Sequence, residues 1–252
     1  MIPTPALRPW IADVTLMRPD SALPLVHLPD ASTTLVYRRT GTHDGDLIAV
    51  GPRSQAAYFP GKELPLCIRA RMRPGTARQL LGVPVNELRD QSVPLTDLWG
   101  ERATRLQDRL NELTSPDPIL RGIENALLET AENAENVKNA ADSRDLVLGQ
   151  ALEALSTTTE HFAALARRLW VSERHLRDLF TDRVGLSPKH FARIQRVRTV
   201  LDRAGSTKWA QIASDTGYYD QSHMTADFHT LMGVSPAAFR AGRLPAEQPC
   251  AA

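Results

Sequence analysis

The C-terminal third of the chain is written twice, and this duplication restricts the fold more than any other feature. A shift of 48 residues lays Ser187-Pro188 on Ser235-Pro236, Gly185 on Gly233, Phe191 on Phe239, Phe180 on Phe228 and Leu176 on Met224. Each copy reads as a short helix, a turn, a second helix closing on an apolar-x3-aromatic pair, then Gly-x-Ser-Pro opening a further helix. Ser before Pro marks a helix start, because the Ser hydroxyl can cap free amides and Pro at the first helical position forfeits no hydrogen bond. Between the copies, Lys189 to Arg203 reads as one linker helix with Ile194, Val197 and Leu201 inward and Arg193, Arg196 and Arg198 available around the rim. Residues 155–243 are therefore expected to be all-α, two helix-turn-helix units joined by a linker helix.

In the first copy HFAALARRL supplies a helix with Ala163, Ala166 and Leu169 as its inner face, and Ser172 caps ERHLRDLFTDR. In the second, Ile212 and Ala213 lie on the first helix, Gly217 in the turn and Asp220 at the next cap. Gly tolerates the left-handed backbone such a turn can require. Ala166 to Ser172 spans six positions and Ala213 to Asp220 seven, so the second turn is longer by one residue.

The second helix of each unit turns Leu176, Leu179 and Phe180, or Met224, Phe228 and Leu231, inward and keeps a polar outer face. That face carries Ser172, Glu173, Arg174, Arg177 and Asp178 in the first unit and Gln221, Ser222, His223, Thr225 and the short Ala226 in the second. Arg can pair bidentately with guanine and Gln with adenine, while an acidic side chain can accept from cytosine. Ser, Thr or His can reach a base edge or a phosphate. Lys189 and Arg193 add cations from the linker helix. Together these are the candidate contacts to double-stranded DNA; the competing readings are a solvated helix face, or a degenerate helix-turn-helix pair that binds protein. Charge runs the same way: residues 155–243 hold 13 Lys and Arg against 8 Asp and Glu, residues 1–154 hold 17 against 20, and the whole chain is only +1. The basic half is where a polyanion would be held.

The stretch IASDTGYYDQSHMTADFHTLMGVSP places Ile-Ala at 212–213, Gly-Tyr at 217–218, Asp-Gln-Ser-His at 220–223, Phe at 228 and Gly-x-Ser-Pro at 233–236. On these residues, positions 155–243 resemble the DNA-binding domain of the AraC/XylS family of transcriptional regulators. The resemblance implies a sequence-specific activator or repressor with both recognition helices in adjacent major-groove segments, and RNA polymerase as a partner by family analogy. Two positions depart from the pattern. Met224 replaces an aromatic, one core side chain for another, and Ala226 stands where an Arg often reaches DNA, so the first unit is expected to supply most of the discrimination.

Upstream, short strands at 33–38, 46–51 and 66–72 between Gly, Pro and Asp turns suggest a small antiparallel β unit, followed by helical patterns at TARQLLG, VNELRD and 101–113. Residues 117–155 read as two helices joined near 140–143, whose apolar faces could pack within the chain or against a second copy. The expected class is α+β: an α+β domain at 1–115, a helical connector at 116–154, the all-α domain at 155–243 and a disordered tail at 244–252. LPD at 28–30, VGP at 50–52, RMRPGTARQLLGVPVNELRD and VPLTDLWG at 93–100 resemble an uncharacterised domain that precedes this DNA-binding domain in some actinobacterial regulators. That resemblance implies an effector-sensing or dimerising module, with a small-molecule effector and a homodimer as expected partners.

Other function classes find little support. Cys67 and Cys250 are the only cysteines and form no CxxC spacing, which indicates neither a disulfide framework nor a cysteine zinc site and fits a reducing cytoplasm. The start lacks a secretory signal, and no window reaches the roughly 18 apolar residues of a membrane span. DNA-repair enzymes fused to this fold use a reactive cysteine, whereas Cys67 in the strand LCIRARM reads as a buried structural thiol. No GxSxG elbow is present, and His27, Asp30 and His43 match no metal-ligand spacing. A non-enzymatic protein without cofactor or metal is the expectation.

Overall fold

In β-strands successive side chains point to opposite faces, and the burial in Thr34–Arg39, Gly45–Val50 and Leu66–Met72 follows that period closely. In the computed structural model, which describes residues 3–17, 24–41, 44–137, 143–157, 160–205 and 208–248, these are strands β3, β4 and β6. They join β1 (Ile11–Met17) and β7 (Ser92–Pro94) in an antiparallel sheet of order β1-β6-β3-β4-β7, while β2 (Leu25–His27) pairs with β5 (Ala57–Phe59) in a second, two-stranded sheet. The register puts Tyr37 beside both Leu47 and Ile68, and Leu35 beside both Ala49 and Ala70, so one face is apolar across the three central strands.

Helices α1 (Ala77–Leu81), α2 (Leu95–Trp99), α3 (Glu101–Glu112) and α4 (Pro116–Val137) follow the strands. VNELRD becomes a single 3-10 turn at Val85–Leu88. Ala103, Leu106 and Leu110 of α3 and Ile119, Ile123 and Leu127 of α4 bury against the apolar face of the sheet. The end of α3 is closed by Arg39, whose Nη2 donates to the Leu110 and Leu113 carbonyls at 3.1 and 2.8 Å, satisfying groups that a helix terminus otherwise leaves unpaired.

The stretch expected to act as a connector is divided between two cores. α4 completes the first, whereas α5 (Ser143–Thr157) gives Leu148, Ala151, Ala154 and Leu155 to the second, which runs on to Met232. Most of the apolar faces that could have met a second copy are therefore buried within the chain, with Leu146 of α5 left 67% exposed. The helix break foreseen near 140–143 lies mostly outside the described residues. Of the expected tail, residues 244–248 run as coil with the Gln248 amide on the Tyr58 carbonyl at 2.7 Å, and 249–252 lie outside the described residues.

His27 on β2 is packed edge-on against Phe59 at 5.2 Å. Burial, then the charges of Arg53 and Arg69, pull its pKa from 6.5 to about 4. The unfolded chain then takes up a proton near pH 6.5 that the folded chain refuses until about pH 4, so stability falls as pH drops through that window. The loss at pH 4.5 is expected to be on the order of 2 kcal/mol. Urea titrations at pH 7 and 4.5 check this: His27→Gln should flatten that part of the pH dependence, and an unchanged slope would contradict it.

Candidate nucleic-acid interface

The first unit is built from α6 (Phe162–Arg168) and α7 (Glu173–Val184), the second from α9 (Trp209–Asp215) and α10 (Gln221–Met232). α8 (Pro188–Arg203) joins them and α11 (Pro236–Arg240) closes the domain. All four caps named by the sequence are made. The Ser172, Ser187 and Ser235 hydroxyls accept from the amides of His175, His190 and Ala238 at 3.1, 3.2 and 3.2 Å, and Asp220 Oδ1 accepts from His223 N at 2.7 Å. Gly185 and Gly233 end α7 and α10 in the left-handed region. The duplicated aromatics pack alike, Phe180 on Phe191 at 5.7 Å and Phe228 on Phe239 at 6.1 Å, both edge to face.

The two turns share one geometry with different residues. Val171 N donates to Ala166 O at 3.1 Å and Tyr218 N to Ala213 O at 3.0 Å, the long bond of a helix closed by a left-handed residue. Gly217 holds that position in the second unit (φ 73°), and Trp170 holds it in the first (φ 57°). The extra residue of the longer turn is Tyr219. Trp170 and Tyr219 are 94% and 93% exposed, so each turn presents a large aromatic to solvent just ahead of the outward helix.

Leu176, Leu179 and Phe180, and Met224, Phe228 and Leu231, are buried as the pattern required. Two inner faces differ in detail. On α6, Leu165, Ala166 and Leu169 bury while Ala163 is exposed, because Leu165 and Leu169 fall one turn apart on the face that Phe162 opens. On α8, Val200 rather than Leu201 is fully buried, continuing the spacing of Ile194 and Val197.

The linker arginines are not free around the rim. Arg193 Nε donates to Asp227 Oδ1 at 2.7 Å, Arg196 Nη2 lies 3.4 Å from Oδ2, and Tyr218 OH donates to Oδ2 at 3.3 Å. Asp227 is 7% exposed, on the inner side of α10, and this cluster ties α8, α9's turn and α10 together. The sequence signal was present but unread: an acid between the inward positions Met224 and Phe228, facing a helix with Arg at 193 and 196. Arg198 turns the other way, to Asp30 Oδ2 and the Pro29 carbonyl, both at 3.2 Å.

The remaining candidates stay on the surface. Ser172, Glu173, Arg174, Arg177, Asp178, Lys189, Gln221, Ser222 and His223 are exposed and Thr225 is half-buried. The structure thus gathers the first set on the opening turn and a half of α7 and the second on the same part of α10, and it keeps Arg193 inside the domain. Among the described residues Arg174 forms an ion pair with Asp178 (3.8 Å) and Arg177 with Glu173 (3.7 Å), loose exposed i,i+4 contacts of about 0.3–0.5 kcal/mol, and the Arg177 guanidinium also lies 5.5 Å from the Phe162 ring centre. Such contacts are readily exchanged for stronger ones. His223 is less free, its ring packed edge-on against Tyr218 at 5.3 Å.

The N-terminal half holds the opposite ends of these helices. Ala56 N and Tyr58 OH donate to the Leu231 and Met232 carbonyls at 2.8 and 2.6 Å, satisfying the last turn of α10. Gly185, after α7, lies so close to Val85 O that a Cβ would approach it to 2.8 Å. Arg78 pairs with Asp182, Arg183 with Asp145 at 3.0 Å, and His190 Nε2 donates to Ser54 O at 2.8 Å. Cys67 is buried, and burial pushes its thiol pKa up, which suits packing and not nucleophilic attack. Among the described residues no group of three or more His, Cys, Asp or Glu is placed to hold a metal, and His43 lies outside them. No described helix is long and apolar enough to cross a membrane.

With this geometry in place, comparison with known proteins gives a consistent result. Residues 165–242 match a family described as a helix-turn-helix domain, and residues 1–94 a domain of unknown function (DUF6597). The chain is similar to the HTH-type transcriptional activator RhaR of Pectobacterium atrosepticum, 27% identical over a 250-residue alignment covering 88% of this chain and 87% of that protein. Among solved structures it is similar to the DNA-binding domain of AdpA in complex with a target DNA, at 26% identity over 40% of this chain and 93% of that one (TM-score 0.36). It is also similar to ToxT from Vibrio cholerae, at 13% identity over 90% and 96% (TM-score 0.43). The duplicated helix-turn-helix, its caps and turns, and the matched model at residues 165–242 together make the chain a DNA-binding transcriptional regulator whose C-terminal domain is a helix-turn-helix pair of the AraC type.

Proposed function

We propose that α7 and α10 enter successive major grooves by their N-terminal ends, that Arg174 and Arg177 read base edges, and that the second unit contributes mainly affinity. The observation that carries this is the disposition of the two helices. Their opening turns are polar and exposed, while the N-terminal half grips their closing turns. A recognition helix that enters a groove end-on needs its first turns free. Ser172, Gln221, Ser222, His223 and Thr225 supply hydrogen bonds to bases or phosphates, and Lys189 a phosphate contact; Glu173 and Asp178 orient the arginines until DNA displaces them. In this proposal Arg193 positions α10 and does not touch DNA.

The N-terminal domain serves as an effector-sensing module. A homodimer, expected from the sequence, uses surface other than the apolar faces of α4 and α5, which the two cores occupy. Hydroxyl-radical footprinting of the full chain on a selected binding site tests the groove assignment. Two protected segments about 10 base pairs apart on one face of the duplex are expected for each bound chain. A single protected segment would exclude insertion of both helices.

A further inference from the structure

Between the main sheet and α8 lies a cavity of about 290 Å³, near the lower limit for small-molecule sites. Its wall is rich in arginine. Arg71 is fully engaged, with Nε and Nη2 donating to Asp30 Oδ2 and Oδ1 at 2.8 Å each. Arg198 reaches from α8 to the same carboxylate. Arg53 and Arg69 also line the cavity, and neither forms an ion pair among the described residues.

Like charges facing one half-buried space are costly unless an anion lies between them. Burial pulls the Arg53 pKa down, and although Asp90 opposes this at longer range, Arg69 adds to it. Two polar atoms of the wall are buried without a hydrogen-bond partner, Arg53 Nε and the hydroxyl of Ser32, a residue 2% exposed. The wall also holds the carboxylates of Asp13 and Asp30, but Arg71 and Arg198 occupy them, and Arg53 and Arg69, without a contact ion pair among the described residues, can take a further acceptor carrying negative charge.

We propose that this cavity binds a small molecule bearing an oxyanion, a carboxylate or phosphate group, held by Arg53 and Arg69. This deepens the effector-sensing role proposed above and rests on it for its regulatory meaning. Arg198 belongs to the helix that joins the two reading units, so an oxyanion competing with Asp30 for Arg198 acts on the tether between the halves of the protein.

Calorimetric titration of the full chain with inorganic phosphate, and separately with succinate, in chloride of matched ionic strength tests the site. Saturable binding of at least one of them in the millimolar range is expected, and which one binds assigns the group. Arg69→Gln and Arg53→Gln should each weaken it about tenfold, Arg69→Lys should retain most of it, and Arg174→Gln/Arg177→Gln, on the other surface, should leave it unchanged. Thermal unfolding without anion reports whether each variant is folded. Absence of saturable binding of both anions to the unmodified chain, or equal binding to a folded Arg53→Gln/Arg69→Gln chain, would overturn the proposal. Either result leaves DNA titrations unaffected, so it is distinct from a failure of the DNA-reading assignment.

Discussion

Asp227→Ala is expected to destabilise the protein by about 3 kcal/mol or more, because removing one member of a buried ion cluster strands the charges that remain. Among the described residues Asp227 is the only carboxylate paired with Arg193 or Arg196, and Tyr218 OH also donates to it. Both guanidiniums keep some solvent contact, which holds the cost toward the lower end of the range for fully buried pairs. Asp227→Asn keeps the hydrogen bonds in part and should cost less. Urea unfolding of the three proteins measures this, and a loss below about 1 kcal/mol for Asp227→Ala would mean the cluster contributes little. Since the cluster fixes α10 against α8, the same substitution should weaken DNA binding by the second unit even though Asp227 faces away from the groove.

The second large effect concerns discrimination. Arg177→Ala and Arg174→Ala should each lower the ratio of specific to non-specific affinity by roughly fivefold to 150-fold, the 1–3 kcal/mol expected for a bidentate contact to guanine. Both side chains lie within the first turn and a half of α7, their ion pairs are loose contacts with exposed partners one turn away, and Arg177 in addition lies over the Phe162 ring. On α10, Ala226 is too short to reach a base, and His223 leans on Tyr218. Ser222→Ala and His223→Ala should therefore weaken specific and non-specific sites by similar factors. Affinities of each variant for a selected site and for unrelated DNA, measured at one salt concentration, decide the point. If His223→Ala erases discrimination while Arg177→Ala preserves it, the roles of the two units are reversed.

Much of this was legible in the sequence, for a physical reason. Caps, left-handed turn residues and a helical apolar period are local signals, and the duplication stated them twice, so Ser172, Ser187, Asp220 and Ser235 could be read as caps without knowing what packed on them. Strands β3, β4 and β6 were visible because each is long enough and alternates; β2, β5 and β7 have three residues apiece, and β1, though seven residues long, buries its side chains without strict alternation, so these were not. Contacts between distant segments were also hidden. Nothing local in α5 says that Leu148 and Ala151 pack in one buried cluster with Phe180 and not with the preceding helix. The fates of Arg193, Arg196 and Arg198 turned on Asp227 and Asp30, 31 or more residues away. On exposure alone an arginine that braces the domain reads like one that grips a phosphate.

The central claim is that the exposed opening turns of α7 and α10 hold duplex DNA. The most direct test is fluorescence-anisotropy titration of the full chain against genomic fragments at two salt concentrations. DNA binding releases condensed counterions, so affinity should fall steeply with salt, by about 0.9 logarithmic units per phosphate contact for each tenfold rise. At least one fragment should bind well above the background of unrelated DNA at both salts. A folded chain that shows no salt-dependent affinity for any fragment would contradict the account and leave the duplicated helices as a protein-binding surface.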